Sequence, residues 1–131
     1  MNSLQAKVTT LESMENLALV SFSMGEQKLQ MVSLGLPKSI KKGSDVLLGV
    51  KATNISIAKN LNGIISTSNQ LKARVETLSN GKLLSTIQLR VEDTLLESII
   101  TSEASLLLNL QEGDAVMVLI KASDLSLLKL C

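Results

Sequence analysis

Aromatic residues and histidine are almost absent from this 131-residue chain: Phe22 is the only aromatic residue, and there is no His, Tyr or Trp. Proteins that bind single-stranded nucleic acid stack the bases on aromatic side chains in strongly basic grooves. With one Phe and a formal net charge of +1, the chain is not expected to bind nucleic acid. The lack of histidine removes the usual general base and the commonest metal ligand. Neither a metal centre nor an enzyme is therefore expected.

Cysteine and long apolar runs are also scarce. Cys131 is the only cysteine, which excludes a disulfide within the chain and a cluster of thiolate ligands. No run reaches the roughly 18 apolar residues of a membrane-spanning helix, and the N-terminal residues do not show the pattern of a signal peptide. These features predict a soluble, cytoplasmic protein with no membrane partner.

What the chain does contain is an internal repeat. Residues Asn2–Leu11 recur as Asn69–Leu78, with six of ten positions identical, and Val50–Ile57 recurs as Ile120–Leu127. Two matches in the same order indicate a tandem duplication of a unit of about 65 residues. We expect a first repeat at 1–60, a connector at 61–65 and a second repeat at 66–131. Units this small bury too little surface to be stable alone, so each is expected to be stabilised by the other or by further subunits.

The apolar residues mostly alternate with polar ones, as in Leu83–Val91, and this period of two is typical of half-buried strands. Asn80-Gly81 precedes that run and predicts a hairpin with a type I′ turn, in which both central residues have positive φ. Each repeat has room for five short strands and one short helix, which describes a small Greek-key barrel of the OB type. The predicted fold class is all-β, with two tandem OB-like Greek-key β-barrels.

The predicted helix of the second repeat covers Ser102–Leu108, with Thr101 as its N-cap. The corresponding piece of the first repeat is Leu34–Ile40, with Ser33 as its cap. Because Pro37 lies inside that piece, it is expected to form a single turn at most.

Hydrogen-bond donors recur at positions outside the predicted core, and each repeat keeps one lysine at the end of a core strand. Donors without a carboxylate suit a fully ionised oxyanion, because N–H, O–H and ammonium groups bind it and a carboxylate would repel it. Backbone N–H groups at the start of the predicted helix would add further donors. The alternative is that Ser, Thr and Asn cap turns and the lysines are solvated. The candidate oxyanion-binding residues are Ser66, Ser68, Asn69, Thr101, Lys121 and Ser123 in the second repeat, and Asn2, Ser33, Lys51 and Thr53 in the first.

Three stretches of the second repeat resemble one known family. "STSNQLKARV" (Ser66–Val75) resembles the Ser-Ala-Arg-Asn-Gln-Leu-x-Gly-x-Val opening of the molybdate-binding Mop/TOBE domains. "VLIKASDLSL" (Val118–Leu127) resembles their closing Val-Ile-Lys-Ala-Ser-x-Val stretch, and Ile99–Val116 resembles the helix and Gly-Asp turn between them. The first repeat matches more loosely. Two copies in tandem are similar to the di-Mop arrangement of small cytoplasmic molybdate-binding proteins.

The resemblance implies OB-like barrels that bind molybdate or tungstate at interfaces, as a ligand and not as a catalytic cofactor. It implies hydroxyl groups from Ser66, backbone N–H groups around Asn69, a capping and donating Thr101, and charge neutralisation by Lys121. Lys51 and Thr53 would have the corresponding roles in the first repeat. The sequence departs from the family pattern at two positions, since Ser68 replaces the family's Arg and Ala73 replaces its Gly.

Three hypotheses for the function follow. The first is a cytoplasmic protein that stores, buffers or senses molybdate or tungstate. The second is a regulatory module whose partner, a DNA-binding segment or a transport ATPase, lies on another chain. The third is a ligand-free module for oligomerisation. In each case we expect a homo-oligomer, because leucine-rich strands in such small units need further cover; the resemblance favours a trimer, with a dimer next.

Overall fold

The computed structural model describes residues 1–131 and consists of two five-stranded antiparallel sheets with one α-helix. This confirms the predicted all-β fold class. The elements are β1 (Asn2–Met14), β2 (Leu17–Met24), β3 (Gln27–Leu34), β4 (Asp45–Val50), β5 (Ser56–Ala58), β6 (Asn69–Asn80), β7 (Leu84–Val91), β8 (Thr94–Thr101), α1 (Ser102–Leu107), β9 (Ala115–Ile120) and β10 (Ser126–Leu130). A short 3₁₀ turn precedes the last strand of each repeat, at Ala52–Asn54 and Ala122–Asp124.

The two repeats exchange their last strands. The first sheet has the order β10-β4-β1-β2-β3, and the second has the order β5-β9-β6-β7-β8. Thus β5, from the first repeat, pairs with β9 at Ile57–Val118, while β10, from the second repeat, pairs with β4 at Leu127–Leu48. Each sheet is therefore completed by a strand from the other half of the chain.

One hydrophobic core extends through both repeats. It contains 25 buried apolar residues drawn from both sheets, and Phe22 is the largest of its fully buried side chains. The remaining core residues are mainly Leu, Ile, Val, Met and Ala, as the composition requires. Because neither repeat encloses a separate core, each depends on the other for burial of its apolar surface.

The hairpin at Asn80-Gly81 is present, but the predicted type I′ turn is wrong. Neither residue has positive φ, and β6 and β7 are joined by a longer loop in which the Gly81 N–H donates to Leu84 O at 2.9 Å. A Cβ atom at Gly81 would lie 2.6 Å from Leu84 O. Glycine is needed here for close approach of the backbone and not for its conformational freedom.

The helix predicted for the second repeat is present, and the corresponding piece of the first repeat forms only a turn, as expected. Helix α1 covers Ser102–Leu107, and the Thr101 Oγ1 accepts a hydrogen bond from the Ala104 N–H at 3.1 Å, as an N-cap does. The corresponding stretch of the first repeat forms no helix. It contains a turn in which the Ile40 N–H donates to Pro37 O at 3.2 Å, because Pro37 has no N–H with which to continue a helical ladder. No helix of the molecule has the length and hydrophobicity needed to span a bilayer.

Candidate functional site

A polar cleft forms where the start of the second repeat meets the end of the same repeat. It has a volume of about 270 Å³ and is lined by Val32, Ser66, Thr67, Ser68, Lys121, Ala122 and Ser123. The structure therefore brings together four of the predicted residues: two from the segment before β6 and two from the end of β9 and the following 3₁₀ turn. They approach because β6 and β9 are paired, with Asn69 opposite Ile120 in the register.

The polar side chains that line the cleft can donate hydrogen bonds, and we call them the donor set. Four of its seven lining residues have hydroxyl groups, one has an ammonium group, and none has a carboxylate. Lys121 forms no ion pair, since the three salt bridges of the molecule involve other residues. The backbone N–H groups of Ser66, Thr67 and Ser68 make no hydrogen bond within the chain. Such a set can surround a small anion with N–H, O–H and ammonium donors.

Val32 is the one lining residue that belongs to the first repeat. It lies on β3, the edge strand of the first sheet, and the 3₁₀ turn at Ala122–Asp124 packs against that strand. The cleft therefore lies at the junction of the two repeats. Sequence reasoning did not identify Val32, because an apolar residue in a strand gives no sign that it borders a polar site. Thr67 and Ala122 were also missed, although both lie within the motifs that were recognised.

The two asparagines that begin the repeated motif do not line this cleft. The Asn69 side chain is fully buried, and its Nδ2 donates to Gln30 O at 2.9 Å while its Oδ1 accepts from the Gln30 N–H at 2.6 Å. Asn2 makes the same two bonds with the backbone of Glu97, both at 2.8 Å. Each carboxamide thus pairs with the outer edge of the other repeat's sheet, as a neighbouring strand would.

The other predicted residues lie outside the cleft. Thr101 caps α1, and no residue of that helix lines the cleft. Ser33 borders a separate groove with Ser123, and its hydroxyl makes only a long 3.5 Å contact with Leu34 O. Lys51 precedes the 3₁₀ turn of the first repeat, and Thr53 lies in it. This turn packs against β8, as the 3₁₀ turn of the second repeat packs against β3. In the first repeat Met1 and not a serine occupies the position of Ser68.

Comparison with proteins of known structure identifies relatives. The cytoplasmic molybdate-binding protein ModG, solved with molybdate bound, matches with a TM-score of 0.89 and 26% identity over 96% of this chain and 94% of ModG. A molybdate-binding protein from Sporomusa ovata is 33% identical, with a TM-score of 0.50 over its entire length and 51% of this chain. The model of the TOBE domain family matches residues 65–127. This chain belongs to the TOBE domain family. A comparison with curated proteins found no match.

In this TOBE protein the family match begins one residue before Ser66 and ends after the Lys121–Ser123 segment. It therefore contains every lining residue of the cleft except Val32. The resemblance to the Mop/TOBE domains that the sequence motifs indicated is confirmed. Both solved relatives are described as binding proteins.

Proposed function

We propose that this TOBE protein binds molybdate or tungstate in the cleft between Ser66–Ser68 and Lys121–Ser123, and that it stores, buffers or senses the oxyanion in the cytoplasm. The observation that carries the proposal is the composition of the cleft. Its polar groups are hydroxyls, free backbone N–H groups and one ammonium group, with no carboxylate. A tetrahedral oxyanion that is fully ionised at neutral pH needs donors of this kind and no proton acceptor.

The relatives support the same ligand class. ModG, which matches nearly the whole chain, was solved with molybdate bound, and the Sporomusa ovata protein is a molybdate-binding protein. At 26% identity most side chains of ModG and this chain differ. The proposed ligand therefore rests on the groups that line the cleft together with the family.

The charge balance of the cleft is the feature most specific to this chain. Lys121 is the only charged residue of the lining, and Ser68 stands where the family pattern has Arg. A dianion would thus be half neutralised by side chains, and hydroxyl and backbone dipoles would supply the remaining stabilisation. We expect Ser68→Arg to tighten molybdate binding, since a guanidinium adds charge and up to five donors.

We further propose that the protein acts as a homo-oligomer, with a trimer preferred and a dimer next. Four leucines in the β6–β7 loop, at the start of β7 and in α1 are strongly exposed: Leu83 by 77%, Leu84 by 58%, Leu106 by 70% and Leu107 by 86%. We call this set the leucine patch; the Ser102 N–H donates to Leu83 O at 2.9 Å, which ties its two parts together. An apolar cluster of this kind on a small protein is typical of an interaction surface. It also favours the second candidate function, a module for oligomerisation without a ligand.

Thermal unfolding distinguishes oxyanion binding from oligomerisation without a ligand. The protein is heated with sodium molybdate, sodium tungstate and sodium sulfate at equal ionic strength. A ligand at 100 times its dissociation constant stabilises the native state by about 2.7 kcal/mol, which raises Tm by several degrees for a domain of this size. We expect molybdate and tungstate to raise Tm in this way. If none of the three anions raises Tm above a sodium chloride control at millimolar concentration, oxyanion binding is excluded and the oligomerisation module is the better description.

A further inference from the structure

We infer that the Asn69 carboxamide is a positioning residue for the cleft: it fixes the Ser66–Ser68 segment against strand β3 of the other repeat. The inference rests on the proposed function, because it concerns the same cleft. It assigns a role in ligand binding to a side chain that does not line the cleft.

The Asn69 side chain makes two hydrogen bonds with the backbone of Gln30, and we call this contact the clamp. Asn69 directly follows Ser68 and is fully buried. Its two polar atoms bind one residue only, with Nδ2 to Gln30 O at 2.9 Å and Oδ1 to the Gln30 N–H at 2.6 Å. Because a carboxamide is planar, two hydrogen bonds to a single backbone unit fix both the distance and the orientation of the two chain segments.

This clamp connects two walls of the cleft. Ser68, one residue before Asn69, belongs to one wall, and Val32, two residues after Gln30 on β3, belongs to the facing wall. Residues two apart in a strand point to the same side, so holding Gln30 also holds the neighbourhood of Val32. The Ser66–Ser68 amides have no partner within the chain, and the Asn69 side chain is therefore the nearest anchor of this segment to the other repeat. An anchored wall presents its donors without an ordering cost at the moment of binding.

The first repeat contains a matched control. Asn2 makes the same two hydrogen bonds with the backbone of Glu97, at 2.8 Å each. It is preceded by Met1 and not by a serine, and none of these residues lines the cleft. Loss of either asparagine side chain leaves one backbone N–H and one C=O of a sheet edge without a partner. The two variants should therefore cost similar stability, and only loss of Asn69 should disturb the cleft.

The experiment is a calorimetric titration of wild type, Asn69→Ala and Asn2→Ala with sodium molybdate, together with thermal unfolding of the ligand-free proteins. We expect both variants to melt lower than wild type by a similar interval. Asn69→Ala should bind molybdate at least about 10-fold more weakly, whereas Asn2→Ala should bind with nearly wild-type affinity. Asn69→Ser, which keeps a small polar side chain, serves if Asn69→Ala does not fold.

Two results would overturn the inference: wild-type affinity in the Asn69 variants, or an equal loss of affinity in the Asn2 variant. A second measurement does not need the ligand. Backbone ¹⁵N relaxation of Ser66, Thr67 and Ser68 should show increased fast motion in Asn69→Ala and none in Asn2→Ala. If wild type fails to bind molybdate, the proposed function is contradicted. Relaxation then decides the positioning role alone, and unchanged motion in Asn69→Ala would overturn it.

Discussion

Lys59 Nζ lies 2.9 Å from Asp114 Oδ2 and also donates to Asn109 O at 2.8 Å. These contacts join the chain that follows β5 to the loop between α1 and β9. The hydrogen bond from Lys59 is the main reason that the pKa of Asp114 lies below its ordinary value of 3.8, and the Gln111 N–H, which donates to the same carboxylate at 2.9 Å, lowers the pKa further.

This contact predicts a dependence of stability on acid pH. A carboxyl group with a lower pKa in the folded state stabilises the fold above its unfolded pKa. That contribution is lost as the pH falls from there through the lower, folded-state pKa. Asp114→Asn should therefore lower the urea midpoint at pH 6. It should also reduce the amount by which the midpoint decreases as the pH falls below 4. Asp93→Asn, on the exposed β7–β8 turn, is the control. It should leave the decrease of the urea midpoint below pH 4 as it is in wild type. Equal curves for wild type and Asp114→Asn would show that the contact is not formed in solution.

Asn80 links the β6–β7 loop to the helix. Its Oδ1 accepts hydrogen bonds from Ser85 Oγ at 2.7 Å and Ser105 Oγ at 2.9 Å, and both serines are buried. Asn80→Ala should destabilise the protein by about 1–3 kcal/mol, the usual cost of leaving a buried polar group without its partner. Denaturant unfolding measures this loss. Ser79→Ala, at the neighbouring exposed position, should change stability little; a matching loss there would contradict the role of Asn80.

Lys121 should supply most of the charge compensation for the bound anion, because it is the only charged residue of the cleft. Lys121→Met keeps the aliphatic stem and removes the charge, so the ligand-free protein should melt nearly as wild type does. Its molybdate-dependent rise in Tm should shrink strongly or vanish. Lys82→Met, on the exposed β6–β7 loop, should keep the full rise. An undiminished rise in Lys121→Met would place the anion elsewhere.

The leucine patch should form a subunit interface. Leu107, at 86% exposure, is its most exposed member, and Leu107→Lys would place a charge in an apolar contact. Light scattering after gel filtration should then give a lower mass for Leu107→Lys than for wild type. Ile64→Lys, at a fully exposed position after β5, should leave the mass unchanged. A monomeric wild type at micromolar concentration would contradict the interface.

The sequence allowed the strands to be predicted, because the alternation of apolar and polar residues directly reflects the two faces of a sheet. It did not reveal the strand exchange. The last strands of the repeats have similar sequences, Ile55-Ser56-Ile57 and Leu125-Ser126-Leu127, and either could pair with either sheet. Which sheet each one joins depends on the path of the whole chain, and the domain boundaries at 1–60 and 66–131 stay a prediction.

Part of the cleft was also predictable, because four of its lining residues lie in motifs that the sequence shows. Ser66, Ser68, Lys121 and Ser123 lie in motifs that begin and end one repeat, and pairing of β6 with β9 brings those motifs together. Asn69 has the same donor chemistry as its neighbours, yet its side chain is buried against Gln30. A sequence states which groups can donate hydrogen bonds, but the partner of each group is set by packing between repeats.

The position of the anion in a crystal grown with sodium molybdate tests the proposed binding site most directly. Anomalous difference maps at the molybdenum absorption edge locate the metal atom of the oxyanion without reference to the protein. Binding in the cleft predicts a peak between the Ser66–Ser68 segment and the Lys121–Ser123 segment, within hydrogen-bonding reach of their hydroxyl, amide and ammonium groups. A peak at another site with this cleft empty, or no peak at saturating molybdate, would contradict it.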